Sequence, residues 1–334
     1  MKLGVIIAAL IGVAIAIAVV AWYGFGSVLT AVAAIGWRGF GFLVVYTFLP
    51  FLLLGSAWFA LADKSPIRQW GAFVWARMVR DAGAELLPFS VVSGFALGAR
   101  AAILQGLAPT LVFSTEVVDV TTELIAQLGF TALGLVVLGV RLGTGSAHDG
   151  LLEAGAAGLA LTTAGAVVFI VMQRRGMGLV EGLARRFLPG AEAGAADFGS
   201  ALKDIYRRPG RLALGVAIHM AAWIASAAGS WIALRLAGAH ITLASVIAIE
   251  SLVAAMRSAI VIAPAGVGVQ EATYALLGPI FGLGAEMSLA LSLVKRARDV
   301  AIGVPTLLIW QGFEGRRLVV GGGRRDVGVA GGVD

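Results

Sequence analysis

Long apolar runs separated by short polar joints set the pattern of this chain. Apolar segments cover about residues 3–22, 39–62, 110–140, 151–172 and 212–236, and a sixth covers about 285–313 if its charges can be accommodated. A hydrocarbon core of roughly 30 Å takes about 20 helical residues, so six transmembrane helices are predicted. Two further stretches are too interrupted for one clean span and too apolar for a solvent loop. One, about 68–106, breaks at Pro88 and Gly94; the other, about 242–284, breaks at Pro264, Gly266 and Gly268. Both are predicted to be re-entrant helical hairpins, since irregular backbone is tolerated at membrane depth where protein or water surrounds it. The fold class is an all-α polytopic membrane protein.

The pattern then repeats. Residues 1–145 and 148–320 each read span, span, interrupted hairpin, span. An odd number of spans per half turns the second copy upside down. Inverted repeats with paired broken segments are a transporter pattern, and the breaks point to the binding site. A duplication without a transport role is the plainer alternative. Residues 1–320 are expected to form one membrane domain, and the Gly-rich 321–334 a disordered cytoplasmic tail.

Composition sharpens this picture. The chain of 334 residues is 59% hydrophobic and 13% charged, against roughly 25% charged in soluble domains. Its 46 glycines suit close helix packing and helix breaks. Cysteine is absent and the three histidines are scattered, which excludes disulfides and thiolate chemistry and leaves no metal-ligand spacing. No cofactor motif is legible. The net charge of +6 fits loop bias and anionic headgroups better than nucleic acid. With the N-terminus cytoplasmic, the inner side receives Lys2, Lys64, Arg68, Arg77, Arg80, the basic loop 173–211 and the tail arginines. The outer side then receives Arg38, Arg141 and Arg235. Both termini are therefore expected inside, in a bacterial inner membrane. Residues 3–22 are expected to be a retained first helix; a signal peptide cut near Ala16-Ile17-Ala18 is the alternative.

Lys295, Arg296 and Arg298 change the picture most. The uncharged run from Val300 to Phe313 is too short to span, so the helix must start near Ala285. That start puts the basic cluster about 15 Å deep at 1.5 Å per residue. Charge at that depth costs at least ~2.5–3.5 kcal/mol per residue unless it is paired or wet. Ser288, Ser292, Lys295 and Asp299 share one helical face, as do Glu116, Asp119, Glu123 and Gln127 on the matching span of the first half. By repeat symmetry the two stripes should line the interface between halves. They form either a polar cavity for a charged headgroup or a proton, or ion pairs that only fix packing. Arg77, Arg80, Asp81 and Glu85 lead into the first break, as headgroup contacts or as a solvated face. Glu250 and Arg257 share a face before the second break and are candidates to pair with the opposite half. His219 is expected to be a hydrogen-bonded packing residue.

The breaks carry their own chemistry. Proline ends one half-helix. The next begins with open amides that favour anionic groups, with Glu271 in its first turn after Pro264, Gly266 and Gly268. The motif is a poor phosphate loop, because no strand precedes it and no Gly-Lys-Ser/Thr follows. Ser90, after Pro88, is a candidate cap for its half-helix.

The chain resembles the flippase-like membrane family typified by the transmembrane region of lysylphosphatidylglycerol synthases, and more narrowly its hopanoid-associated HpnL-type members. The resemblance rests on Leu87-Pro88-Phe89-Ser90 with Gly94, on Pro264, Gly266, Gly268 and Glu271, and on the run Ser292 to Asp299. Ala265 stands where many relatives have glycine. The resemblance implies lipid translocation across the inner membrane, with the Pro-Gly element in a broken helix. Synthase members add a soluble aminoacyl-transferase domain; the longest polar stretch here is about 173–211, so lysyl transfer by this chain alone is not expected. The expected partner is a lipid whose headgroup enters a central cavity, contacted by Arg80, Arg257, Lys295, Arg296 and Arg298. Lipid-biosynthesis enzymes are second candidates for partners. Rival expectations are an intramembrane headgroup transferase using Glu271 or Asp119, and an accessory subunit of a lipid-synthesis complex.

Overall fold

The computed structural model describes residues 33, 35–63, 65–87, 90–142, 192–259 and 269–323, with scattered positions between 153 and 171. The segments 3–22 and most of 151–172 lie outside the described residues, as do Pro88, Pro264, Gly266 and Gly268.

Among the described residues the chain is helical. The helices are α1 (Trp37–Leu61), α2 (Trp70–Leu86), α3 (Ser90–Leu104), α4 (Pro109–Leu142), α5 (Glu192–Tyr206), α6 (Pro209–Leu236), α7 (Leu243–Ala259), α8 (Val269–Leu277) and α9 (Ala285–Gly323). Helices α1, α4 and α6 are long and apolar enough to cross a membrane, with mean hydropathy 2.0, 1.9 and 1.6. Their boundaries fall within a few residues of the predicted spans. Helix α9 starts at Ala285, the position its charges demand, and is not interrupted by Pro305. It carries on into the Gly-rich stretch, about ten residues past the predicted end. Its 39 residues make a rod about 58 Å long, so it outreaches a hydrocarbon core.

Of the predicted breaks, the one at Gly94 is not there, because Gly94 lies inside a helix, and those at Pro88, Pro264, Gly266 and Gly268 lie outside the described residues. Helix α2 ends at Leu86 and α3 starts at Ser90; α7 ends at Ala259 and α8 starts at Val269. Helices α2 and α3 fold back on each other tightly. A Cβ on Gly98 would sit 2.7 Å from Cβ of Arg80, and one on Gly94 would sit 2.7 Å from the Arg80 carbonyl oxygen. Only glycine permits that approach, and it locks the segment that carries Arg77 and Arg80.

Packing between elements is reciprocal. Under the predicted repeat α1 corresponds to α6, α2 to α7 and α4 to α9. Helices α1 and α6 pack on each other, α2 packs on α9, and α7 packs on α4, so the last two contacts are equivalents. Tyr46 Oη donates to the Ala225 carbonyl at 2.9 Å, fastening α1 to α6. Trp58 Nε1 donates to Thr115 Oγ1 at 2.9 Å, fastening α1 to α4. At one end Asp63 pairs with Arg208 and Arg211. Large apolar side chains face outward, among them Phe42, Val45, Leu52, Val136, Leu214 and Ile309. In water such a surface would aggregate; in acyl chains it is the solvated face.

Candidate functional site

Two ionic networks occupy the interior, one where α2, α4 and α6 meet and one between α7, α8 and α9. The first is built where α2 meets α4. Residues three apart on a helix share a face, and this brings Arg77 and Arg80 of α2 together against Asp119 and Glu123 of α4. Arg77 grips Glu123 with both terminal nitrogens, Nη2 to Oε1 at 2.6 Å and Nη1 to Oε2 at 3.1 Å. It also reaches Asp119 at 3.2 Å and Asp81 at 3.0 Å. Arg80 reaches Asp119 at 2.9 Å and Glu123 at 2.8 Å, and its guanidinium stacks 4.5 Å from the Phe95 ring centroid. His219 of α6 closes the group, with Nε2 3.0 Å from the second Asp119 oxygen. An ionised carboxylate only accepts, so beside it Nε2 carries the hydrogen.

Nearly all of this is sealed: Arg77, Arg80, Asp119 and His219 are buried. Glu116, one turn before Asp119, is buried too, and its Oε1 has no hydrogen-bond partner among the described residues.

The second network lies between α7, α8 and α9. Lys295 Nζ donates to Glu250 Oε2 at 2.6 Å and to Tyr274 Oη at 2.7 Å. Tyr274 Oη donates to Glu250 Oε1 at 2.5 Å, so one carboxylate, one phenol and one ammonium form a closed triangle. Beside Lys295 on α9, Arg296 Nη2 lies 2.6 Å from Glu271 Oε1 in the first turn of α8. Ser292 Oγ donates to the same oxygen at 3.0 Å and accepts from Gln270 at 2.8 Å.

Further polar contacts join α7 to α2 and α4. Arg257 Nη2, near the end of α7, lies 2.7 Å and 2.9 Å from the two oxygens of Glu85, near the end of α2. Gln127 of α4 donates to Ser258 Oγ at 2.6 Å. Arg298 is held by its own neighbour Asp299, at 2.7 Å and 3.1 Å.

The acidic stripe of α4 and the basic stripe of α9 therefore do not face each other. Each is neutralised by other helices, by α2 in one case and by α7 and α8 in the other. Arg77 and Arg80 are not a solvated face; they are core residues, which takes them out of the orientation count. Glu250 pairs within its own half, whereas Arg257 does pair across. His219 is a hydrogen-bonded interior residue, yet it belongs to the first network, which its lone position in an apolar run did not signal. Tyr274 is a further member that sequence reasoning missed. Its place three residues after Glu271 was the available signal. The side chain of Ser90 lies outside the described residues, as do the two prolines and the Pro-Gly element.

Among the described residues no group of His, Asp or Glu has the makings of a metal site. A cavity lies apart from both networks, between the end of α6 and the start of α9. It is lined by Ile35, Leu234, Met287, Leu291 and Val294, with Glu286 at its edge. Its walls suit methylene groups rather than a headgroup.

Helices with an apolar outside and a charged inside define an α-helical membrane protein. The chain belongs to the family described as the lysylphosphatidylglycerol synthase TM region, whose model matches residues 9–305. No curated protein and no solved structure matches it.

Proposed function

We propose that this protein is a flippase-like lipid transporter of the bacterial inner membrane, with both termini cytoplasmic, which moves a polar headgroup through the junction of two inverted halves. The headgroup belongs to an anionic phospholipid or to a lipid of hopanoid metabolism. One observation carries the proposal: ionised side chains, Arg77, Arg80, Asp119, Glu250, Lys295 and Arg296 among them, are buried in a bundle of apolar helices. Glu271 sits in the first turn after the second break, and Arg77, Arg80 and Glu85 lie on the helix that leads into the first. Charges kept at such cost inside a membrane protein mark pathways more often than scaffolding. The family's name adds that a lipid with a phosphoglycerol headgroup is handled by its synthase members.

The test is headgroup exposure. Purified protein is reconstituted in liposomes containing phosphatidylglycerol with a fluorescent headgroup, and dithionite is added outside. Quenching beyond the outer-leaflet half is expected, at a rate that scales with protein per vesicle. Quenching that stops at half, as in protein-free vesicles, excludes lipid movement.

A second function has one observation in its favour. The Lys295–Tyr274–Glu250 triangle has the spacing of a proton relay, as an intramembrane headgroup transferase would need. New lipid product formed from purified protein plus donor would select it. An accessory subunit would instead co-purify with a lipid-synthesis enzyme and tolerate loss of these charges.

A further inference from the structure

The ion pairs are not equally closed. Lys295 and Glu250 expose 11% and 9% of their side chains, and Arg77 with Asp119 less. Arg257 and Glu85 expose 29% and 33%, and Arg298 and Asp299 expose 17% and 25%. The open pairs are also incompletely used. Arg257 spends one nitrogen on both Glu85 oxygens, so among the described residues its Nε and Nη1 make no hydrogen bond. Arg298 uses Nε and Nη2 on Asp299, and among the same residues its Nη1 makes none. Asp299 lies within electrostatic reach of Arg257, and Glu85 within reach of Arg298. Arg257 with Glu85, and Arg298 with Asp299, are thus two neighbouring, partly exposed pairs with unspent guanidinium donors.

We propose that Arg257 and Arg298 form a phosphate-binding site whose resident anion is Glu85, and that a headgroup phosphate binds by displacing that carboxylate. A planar guanidinium fork suits two phosphate oxygens. The exchange trades one charge-assisted pair for another, so neither cation is left bare at any stage. Glu85 stands in the last turn of α2, which leads into the first break, and Arg257 in the last turn of α7, which leads into the second. The pair therefore clips α2 to α7, and phosphate binding releases the clip. Site and release rest on the lipid transport proposed above, but binding can be measured without it.

The experiment uses the full chain in nanodiscs of phosphatidylcholine doped with phosphatidylglycerol, with bound lipid counted by native mass spectrometry and affinity taken from a titration of the dopant. Glu85→Gln removes the competing anion and is expected to tighten phosphatidylglycerol binding about tenfold. Arg257→Gln is expected to weaken it at least tenfold. Glu85→Gln with Arg257→Gln removes clip and site together, leaves no unpaired charge, and should bind as weakly as Arg257→Gln alone; this variant guards against misfolding of the single one. Arg298→Gln should weaken binding less. Unchanged or weaker binding in Glu85→Gln, or full binding in the double variant, overturns the proposal. Inorganic phosphate is added as a competitor. With the variants shifting binding as described, displacement by it assigns the site to an anion taken from water, and failure to displace assigns it to a headgroup taken from the bilayer. If the variants shift binding as described while wild-type liposomes show no lipid movement, the transport function fails and the site stands. If lipid moves while binding ignores Glu85 and Arg257, the site fails and transport stands.

Discussion

The sealed network at Asp119 and the open clip at Arg257 are built from the same residue types and do opposite things. At Asp119 two arginines and a histidine converge on one carboxylate that is fully buried. The arginines are matched by carboxylates of their own half, and His219 adds α6, so the network ties α2, α4 and α6 into a unit. At Arg257 a single arginine nitrogen meets a single carboxylate across the two halves, with about a third of each side chain exposed. Burial makes the first arrangement expensive to break. Exposure makes the second easy to exchange. In a membrane protein the difference separates charges that build the walls from charges that can meet a ligand.

The contrast is broken most severely at its sealed end. Asp119→Ala leaves Arg77, Arg80 and His219 short of an acceptor, and an uncompensated buried charge costs about 3–5 kcal/mol. The variant is expected to fail to yield monodisperse protein, or to melt far below wild type by fluorescence in detergent. Lys295→Met strands Glu250 with Tyr274 as its remaining close donor and should cost nearer ~3 kcal/mol. Adding Glu250→Gln to it should recover part of the loss, and a double-mutant cycle on the melting midpoints measures how much. Gly98→Ala pushes a methyl against Cβ of Arg80 and should cost about 1–3 kcal/mol as overpacking, with α2 and α3 separating first in hydrogen exchange. Glu85→Gln is the smallest, because partly exposed pairs contribute ~1 kcal/mol or less. Its melting midpoint should lie within a few degrees of wild type even though its lipid binding changes.

How much of this was legible follows from what hydropathy can register. The ends of α1, α4 and α6 were readable because apolar length decides whether a helix can cross a bilayer. The start of α9 at Ala285 was readable for the opposite reason, since Lys295 and its neighbours force the span to begin early. The break predicted at Gly94 was a misreading, since glycine there serves the close approach of α3 to Arg80 and leaves the helix whole. Pairing was not readable either. Arg77 and Arg80 read as headgroup contacts or a solvated face, because a one-dimensional pattern cannot tell a helix folded into the bundle from one lying at the interface. The stripes on α4 and α9 looked complementary by sign, but α2 and α7 reach them first. His219 and Tyr274 carried no local signature strong enough to place them, since their partners lie 100 and 24 residues away.

The clip can be closed by covalent means, because the chain has no cysteine of its own. Cysteines placed beside the pair, at 87 and 256, leave Glu85 and Arg257 in place, and a thiol-reactive crosslinker between them would hold α2 to α7 in liposomes loaded with labelled phosphatidylglycerol. Lipid movement is expected to stop on crosslinking with a cleavable reagent and to return on cleavage. Movement at an undiminished rate through the bridged protein would mean that the headgroup does not pass between the halves.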